Sequence, residues 1–265
     1  MRLYLTLFRI SLQDATQYRV ESAIWFLYET VPPLMMAAVW LAAYQDQTTV
    51  AGFSLAEMLA YTVGVMILRT LITVHIEHGM DLEIRRGDIS NHLVRPFNIW
   101  GFWFVDSLGW KMFRNALSVP VVLGCLFWFG PEMGALSISL DRLLPLVMSV
   151  LLGAVVCFLL KLCLGCTSFW TNDIVGVATL YEVVATILGG MLVPVALLPD
   201  WLQAVAWLLP IQAIYSVPLA ILLGKSDWEN AWYGIGLQVG WIVVLWALAH
   251  VLWRAGLRQY EAVGR

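Results

Sequence analysis

Charge is scarce in this sequence. Asp, Glu, Lys and Arg make up 12% of its 265 residues, against about 25% in soluble domains. No polar stretch is long enough to form a separate soluble fold, so one membrane domain with no appended catalytic domain is expected. No run of Lys and Arg forms a phosphate-binding patch, which argues against a nucleic-acid partner. The four cysteines, Cys125, Cys157, Cys163 and Cys166, all sit in apolar stretches. Cys163 and Cys166 have CxxC spacing, but with no second pair and no neighbouring His they read as small packing residues rather than metal ligands.

Catalytic motifs are missing as well. There is no G-x-S-x-G elbow and no H-E-x-x-H pair. His75 and His78 are spaced as ligands can be, but no third ligand is evident. Gly224-Lys225-Ser226 matches the tail of a phosphate-binding loop, yet Leu219 stands where its first Gly is required, so ATP is not expected to bind here. The N-terminus is not expected to be a cleavable signal, because Arg9 interrupts its apolar run and no small-residue cleavage site is present.

What the chain does have is apolar length. Hydrophobic residues make up 61% and the mean hydropathy is +0.80. A spanning helix needs about 20 mostly apolar residues. Six stretches qualify: Ser22–Tyr44, Leu55–His75, Asn115–Gly130, Leu143–Cys166, Ile174–Pro194 and Gly234–Trp253. The third is short, and the amphipathic, aromatic run Ile99–Arg114 suggests that it begins earlier. Six spans place both termini on one side. Of 15 Lys and Arg, eleven fall on that side, two (Arg142, Lys225) on the other, and two (Arg69, Lys161) within spans. By the positive-inside rule the termini are expected in the cytoplasm.

Residues 1–20 carry a polar stripe, Arg2, Thr6, Arg9, Gln13 and Gln17, at helical spacing. An interfacial helix lying along the membrane fits that stripe, and a simple extension of the first span is the other reading. Between the fifth and sixth spans, residues 195–230 are apolar but rich in proline. Pro194, Pro199, Pro210 and Pro218 cut this region into pieces too short to cross a bilayer, with Asp200 expected to cap the helix Trp201–Leu209. A re-entrant hairpin on the extracytoplasmic side is expected, with a seventh span as the alternative. The 14 Trp and 9 Tyr suit interfacial belts or the lining of a route for amphipathic cargo.

Four ionisable residues fall inside spans: Glu29, Arg69, Lys161 and Glu182. Each lies five to nine residues from the cytoplasmic end, roughly 8–13 Å deep at ~1.5 Å per residue. Two acids and two bases at matched depth suggest interhelical pairing, either as structural salt bridges or as a polar ring around a vestibule. Pro32 and Pro33 can bend the helix beyond Glu29.

The most polar stretch is the loop at residues 76–98. Gly87 can end one helix in the left-handed conformation and Asp88 can cap the next, Ile89–Val94, which Pro96 closes. Ile89 and Leu93 share a face at i,i+4. So short a helix is marginal alone, which fits an element held between the membrane domain and a docking partner; an ordinary polar loop is the alternative.

The run Ile84 to Asn98, IRRGDISNHLVRPFN, resembles the cytoplasmic signature of permease subunits in the type-2 family of ATP-binding-cassette (ABC) transporters. Its bacterial branch carries G-[DE]-[ILV]-x-x-x-L-[LV]-[KR]-P, matched here by Gly87, Asp88, Ile89, Leu93, Val94, Arg95 and Pro96. The family commonly ends in G-x-R-x-Y-x-x-x-G, which Gly256, Arg258, Tyr260 and Gly264 match. The resemblance implies an all-α integral membrane protein with six transmembrane helices, covering residues 1–265. It adds an N-terminal interfacial helix, a cytoplasmic coupling helix and an extracytoplasmic re-entrant hairpin. It also implies that Arg85, Arg86, Gly87, Asp88, Ile89, Leu93, Arg95 and Pro96 couple the chain to an ABC ATPase dimer. ATP and Mg would sit on that partner, with no cofactor in this chain. A second permease subunit, the bacterial inner membrane and export are implied by the same resemblance. A non-transporting scaffold for a cell-envelope complex is the rival reading.

Overall fold

A computed structural model describes residues 2–50, 52–95, 97–133, 140–171, 173–224 and 228–260. Pro96, Lys225, Ser226 and Gly264 lie outside the described residues, as does the side chain of Glu29. The described chain is helical apart from one two-stranded ribbon. The N-terminal segment forms α1 (Arg2–Gln17), which the non-helical backbone of Tyr18 separates from α2 (Arg19–Ala43). α1 packs along α6 (Ile99–Met133). Gly109 allows that approach, since a Cβ there would lie 2.5 Å from Ser11 Cβ. Ser11 donates to Asp106 Oδ1 at 2.6 Å across the same contact.

After α2, the ribbon of β1 (Thr49–Val50) and β2 (Phe53–Ser54) turns the chain back. Ser54 and Glu57 then form a capping box that starts α3 (Leu55–Ile72). This is the most enclosed of the long helices. It ends where Thr73 turns extended, and the Thr73 and Tyr215 hydroxyls are hydrogen-bonded at 2.7 Å. The chain resumes as α4 (Ile76–Arg86), α5 (Ile89–Leu93) and α6.

α6 bears out the earlier start expected of the third span and lengthens the stretch Asn115–Gly130 at both ends: it is one helix of 35 residues, about 52 Å at 1.5 Å per residue. Asn98 starts it by accepting from the backbone N–H of Trp100 at 2.9 Å and Gly101 at 3.3 Å. Lys111 and Arg114, which break the apolar run in sequence, are buried inside the bundle.

α7 (Leu140–Cys166) is the spine, against which α4, α10 (Pro210–Leu222) and α11 (Trp228–Gln259) pack. Gln238 of α11, fully buried, donates to Ser149 O of α7 at 2.9 Å and Ala213 O of α10 at 2.8 Å. A buried amide of this kind is the polar glue of membrane bundles, where apolar contact gives little driving force.

The fifth expected span is also corrected. α8 (Val175–Leu188) has 14 residues, about 21 Å, because Gly189 and Gly190 stop it. Gly190 is left-handed at φ 79, and a Cβ there would lie 2.8 Å from the Tyr61 hydroxyl. α9 (Asp200–Trp207) then meets α10 at 103°. This bend is compatible with either a re-entrant loop or a broken span. Two details differ from expectation: Asp200 makes no side-chain cap, and Pro218 lies within α10 without ending it. Pro210 occupies the first turn of α10, where its missing N–H costs nothing. Among the described residues, five helical stretches are long and apolar enough to cross a bilayer, or six if the bent pair counts as one.

Candidate functional site

The polar loop builds two linked features, one exposed and one buried. α4 places Met80 and Ile84 in the main core. Gly165 of α7 makes room for Met80, because a Cβ at residue 165 would lie 2.5 Å from the Met80 sulfur. Gly87 ends α4 in the left-handed region at φ 80, as its place in the sequence suggests. Asp88 makes no capping hydrogen bond; instead Ser90 Oγ donates to Gly87 O at 2.6 Å and closes the turn.

The two apolar residues of α5 part company. Ile89 is fully buried with Ile84, Ile99 and Trp103, whereas Leu93 is 46% and Val94 83% exposed. Leu93 and Val94 are exposed apolar residues in the same turn region as exposed Arg85, Arg86, Asp88 and Arg95. Arg85 also pairs with Asp81, one turn earlier on α4. Glu83 ties the loop to its neighbours: it accepts from Trp103 Nε1 at 3.1 Å and lies 3.7 Å from His92 Nε2. His92 packs on Phe102 at 4.8 Å. Burial, with Arg95 nearby, holds the His92 pKa below its usual value, and Asp88 opposes the shift.

At the other end of α4 lies the buried feature. Lys161 of α7, wholly enclosed, donates to Glu77 Oε1 at 2.6 Å and Glu182 Oε1 at 2.7 Å. Its ammonium also sits 4.3 Å from the Tyr181 ring centre. The expected pairing between charges on different spans therefore forms for Lys161 and Glu182. Arg69, also buried, instead lies over the Tyr28 ring at 5.9 Å.

Glu77 is the residue that reading the sequence misses, because it falls at the start of the polar stretch 76–98, outside the expected spans. The spacing of Ile76, Met80 and Ile84 marks a helix with an apolar face, and Glu77 sits beside it. The fold also supplies the further ligands that His75 lacks in the sequence: His75, Glu77 and Glu182 bring ligand atoms within 4.8 Å of one another. A metal does not fit that position. The Lys161 ammonium already bridges both carboxylates and supplies the compensating positive charge.

The terminal motif has a packing role. Gly256 leaves room for the Phe169 ring, and Tyr260 meets that ring edge-on at 6.0 Å. Phe169 also packs on Trp253, and Trp253 on Trp103, so the end of α11 is joined to the loop region.

A helical bundle with several candidate spans, a polar loop of two short helices and a charge cluster buried between helices define an all-α integral membrane protein. The family model for ABC-2 family transporter proteins matches residues 31–264. The chain belongs to that family and is a permease component of an ABC transporter. No curated protein matches the chain.

Proposed function

We propose that this chain is half of the translocation pathway of an ATP-driven exporter, with α5 receiving work from a separate dimeric ATPase. ATP and Mg belong to that partner, and a second permease subunit completes the pathway. Both termini and the α4–α5 turn face the cytoplasm of a bacterial inner membrane, as the distribution of Lys and Arg favours. Arg85, Arg86, Asp88, Leu93 and Arg95 form the docking face, while Ile89 anchors the turn from beneath.

One observation carries this reading: α4 is a single rod whose exposed end bears the docking face and whose buried end bears Glu77. From Arg86 back to Glu77 is nine residues, about 13 Å. A push on α5 reaches α4 through Ile89 and Glu83, then α7 and α8 through the Lys161 bridge. Interfaces of this kind switch between discrete arrangements rather than deforming smoothly.

The test is purification in mild detergent followed by reconstitution. A stoichiometric nucleotide-binding subunit with vanadate-sensitive hydrolysis is expected. Replacing Asp88 and Leu93 together by Ala should leave yield intact and separate ATP hydrolysis from transport. Transport at full efficiency in that double variant overturns the coupling role.

A further inference from the structure

Two clefts adjoin the Lys161 cluster. The first, of about 530 Å³, opens between α2 and α8 and is lined by Trp25, Tyr28, His75, His78 and Glu182 among apolar side chains. The second, of about 450 Å³, shares Trp25, His75 and His78 and adds Glu83, Asp106 and Arg114. Each is of the size that holds a drug-like ligand. Trp25 lies 4.6 Å from His75 and 5.8 Å from Tyr28, ring centre to ring centre, so the shared wall is aromatic.

Within the Lys161 cluster the charges do not cancel, and the Arg69 guanidinium lies over the Tyr28 ring, 5.9 Å from its centre. Lys161 offers one positive charge to two carboxylates. Glu77 is 1% exposed, and its Oε2 has no hydrogen-bond partner among the described residues. Glu182, 19% exposed, is the member of the cluster that reaches the cleft. A third cleft, of about 470 Å³ beneath α9 and α10, has no Asp, Glu, Lys, Arg or His among the described residues of its lining.

We propose that the paired clefts bind a lipophilic organic cation, such as a quaternary ammonium or phosphonium. Glu182 supplies the counter-charge, and Trp25 supplies an aromatic wall for cation–π contact. The apolar walls take the rest of the molecule. This inference rests on the permease reading and specifies its cargo.

The test uses two ions of nearly the same shape and opposite charge, tetraphenylphosphonium and tetraphenylborate. Each is titrated by calorimetry into the purified full chain with its ATPase partner, in uncharged maltoside micelles. Saturable binding of tetraphenylphosphonium is expected, with tetraphenylborate at least about tenfold weaker. Glu182→Gln keeps the polar contact to Lys161 but removes the excess charge, and should weaken tetraphenylphosphonium about tenfold. Trp25→Leu, which leaves every charge in place, should weaken it about threefold and reads the same site if the first variant does not fold.

Equal binding of the two ions, or undiminished binding of the phosphonium in either folded variant, overturns the proposal. Binding requires no ATP turnover. A failed titration therefore leaves the coupling reading standing, and lost hydrolysis coupling with intact binding counts only against coupling.

Discussion

Replacing Lys161 by Met removes the one positive charge between Glu77 and Glu182 while keeping length and apolar volume. In the wild-type chain its ammonium is 2.6 and 2.7 Å from the two carboxylates. Those carboxylates come within 4.8 Å of each other, a repulsion of about 3.5 kcal/mol at an effective dielectric of ~20. Without the lysine, that repulsion stands and both acids lose their ammonium donor. Uptake of a proton by one of them limits the damage, and the net cost falls at about 3–5 kcal/mol, as for other broken buried pairs. Thermal unfolding in detergent should register a drop of about 10 °C. The order of rescue is the sharper result. Adding Glu77→Gln leaves Glu182, which is 19% exposed, as the remaining acid; adding Glu182→Gln leaves Glu77, which is 1% exposed. The first double variant should recover at least about 1.5 kcal/mol and the second less. Strictly additive losses, or the reverse order, would refute the account of this cluster.

Other predictions concern the loop. Ile89→Ala should cost about 2–4 kcal/mol through the cavity it leaves, whereas Leu93→Ala should stay within about 0.5 kcal/mol because that side chain is largely exposed; urea or thermal titration separates them. Gly165→Ala should cost about 1–2 kcal/mol by forcing Met80 aside, and a simultaneous Met80→Ala should remove most of that extra cost. His92 has its folded pKa depressed by burial, so docking of α5 is at full strength above the unfolded value of about 6.5. It weakens as pH falls through the lower folded value. Amides of Ser90–Val94, corrected for intrinsic rate, should exchange faster at about pH 5.5 than at about pH 7.5; a His92→Gln variant should lose the difference, and slower exchange in acid would contradict it.

The sequence by itself determined the features that depend on local composition and short-range geometry. Scarce charge and long apolar runs specified a helical membrane protein, because only internally bonded helices or closed barrels satisfy the backbone in lipid. Gly87 marked the end of α4 because a left-handed residue there favours glycine. The matched depths of Glu29, Arg69, Lys161 and Glu182 pointed to pairing between helices, and Lys161 and Glu182 do pair.

Tertiary structure decided everything that depends on which faces meet. Ile89 and Leu93 are equivalent by spacing, yet one is enclosed by Ile84, Ile99 and Trp103 while the other faces outward. Lys111 and Arg114 interrupt an apolar run in sequence but are enclosed within α6's contacts, so hydropathy alone makes the third span too short. Glu77 reads as a loop acid until α4 packs against α7 and brings it to Lys161, 84 residues away. Periodicity reports how a helix is patterned, but a buried charge is stabilised only by partners that other helices bring to it. Those partners lie far away in sequence and become neighbours only in the folded bundle.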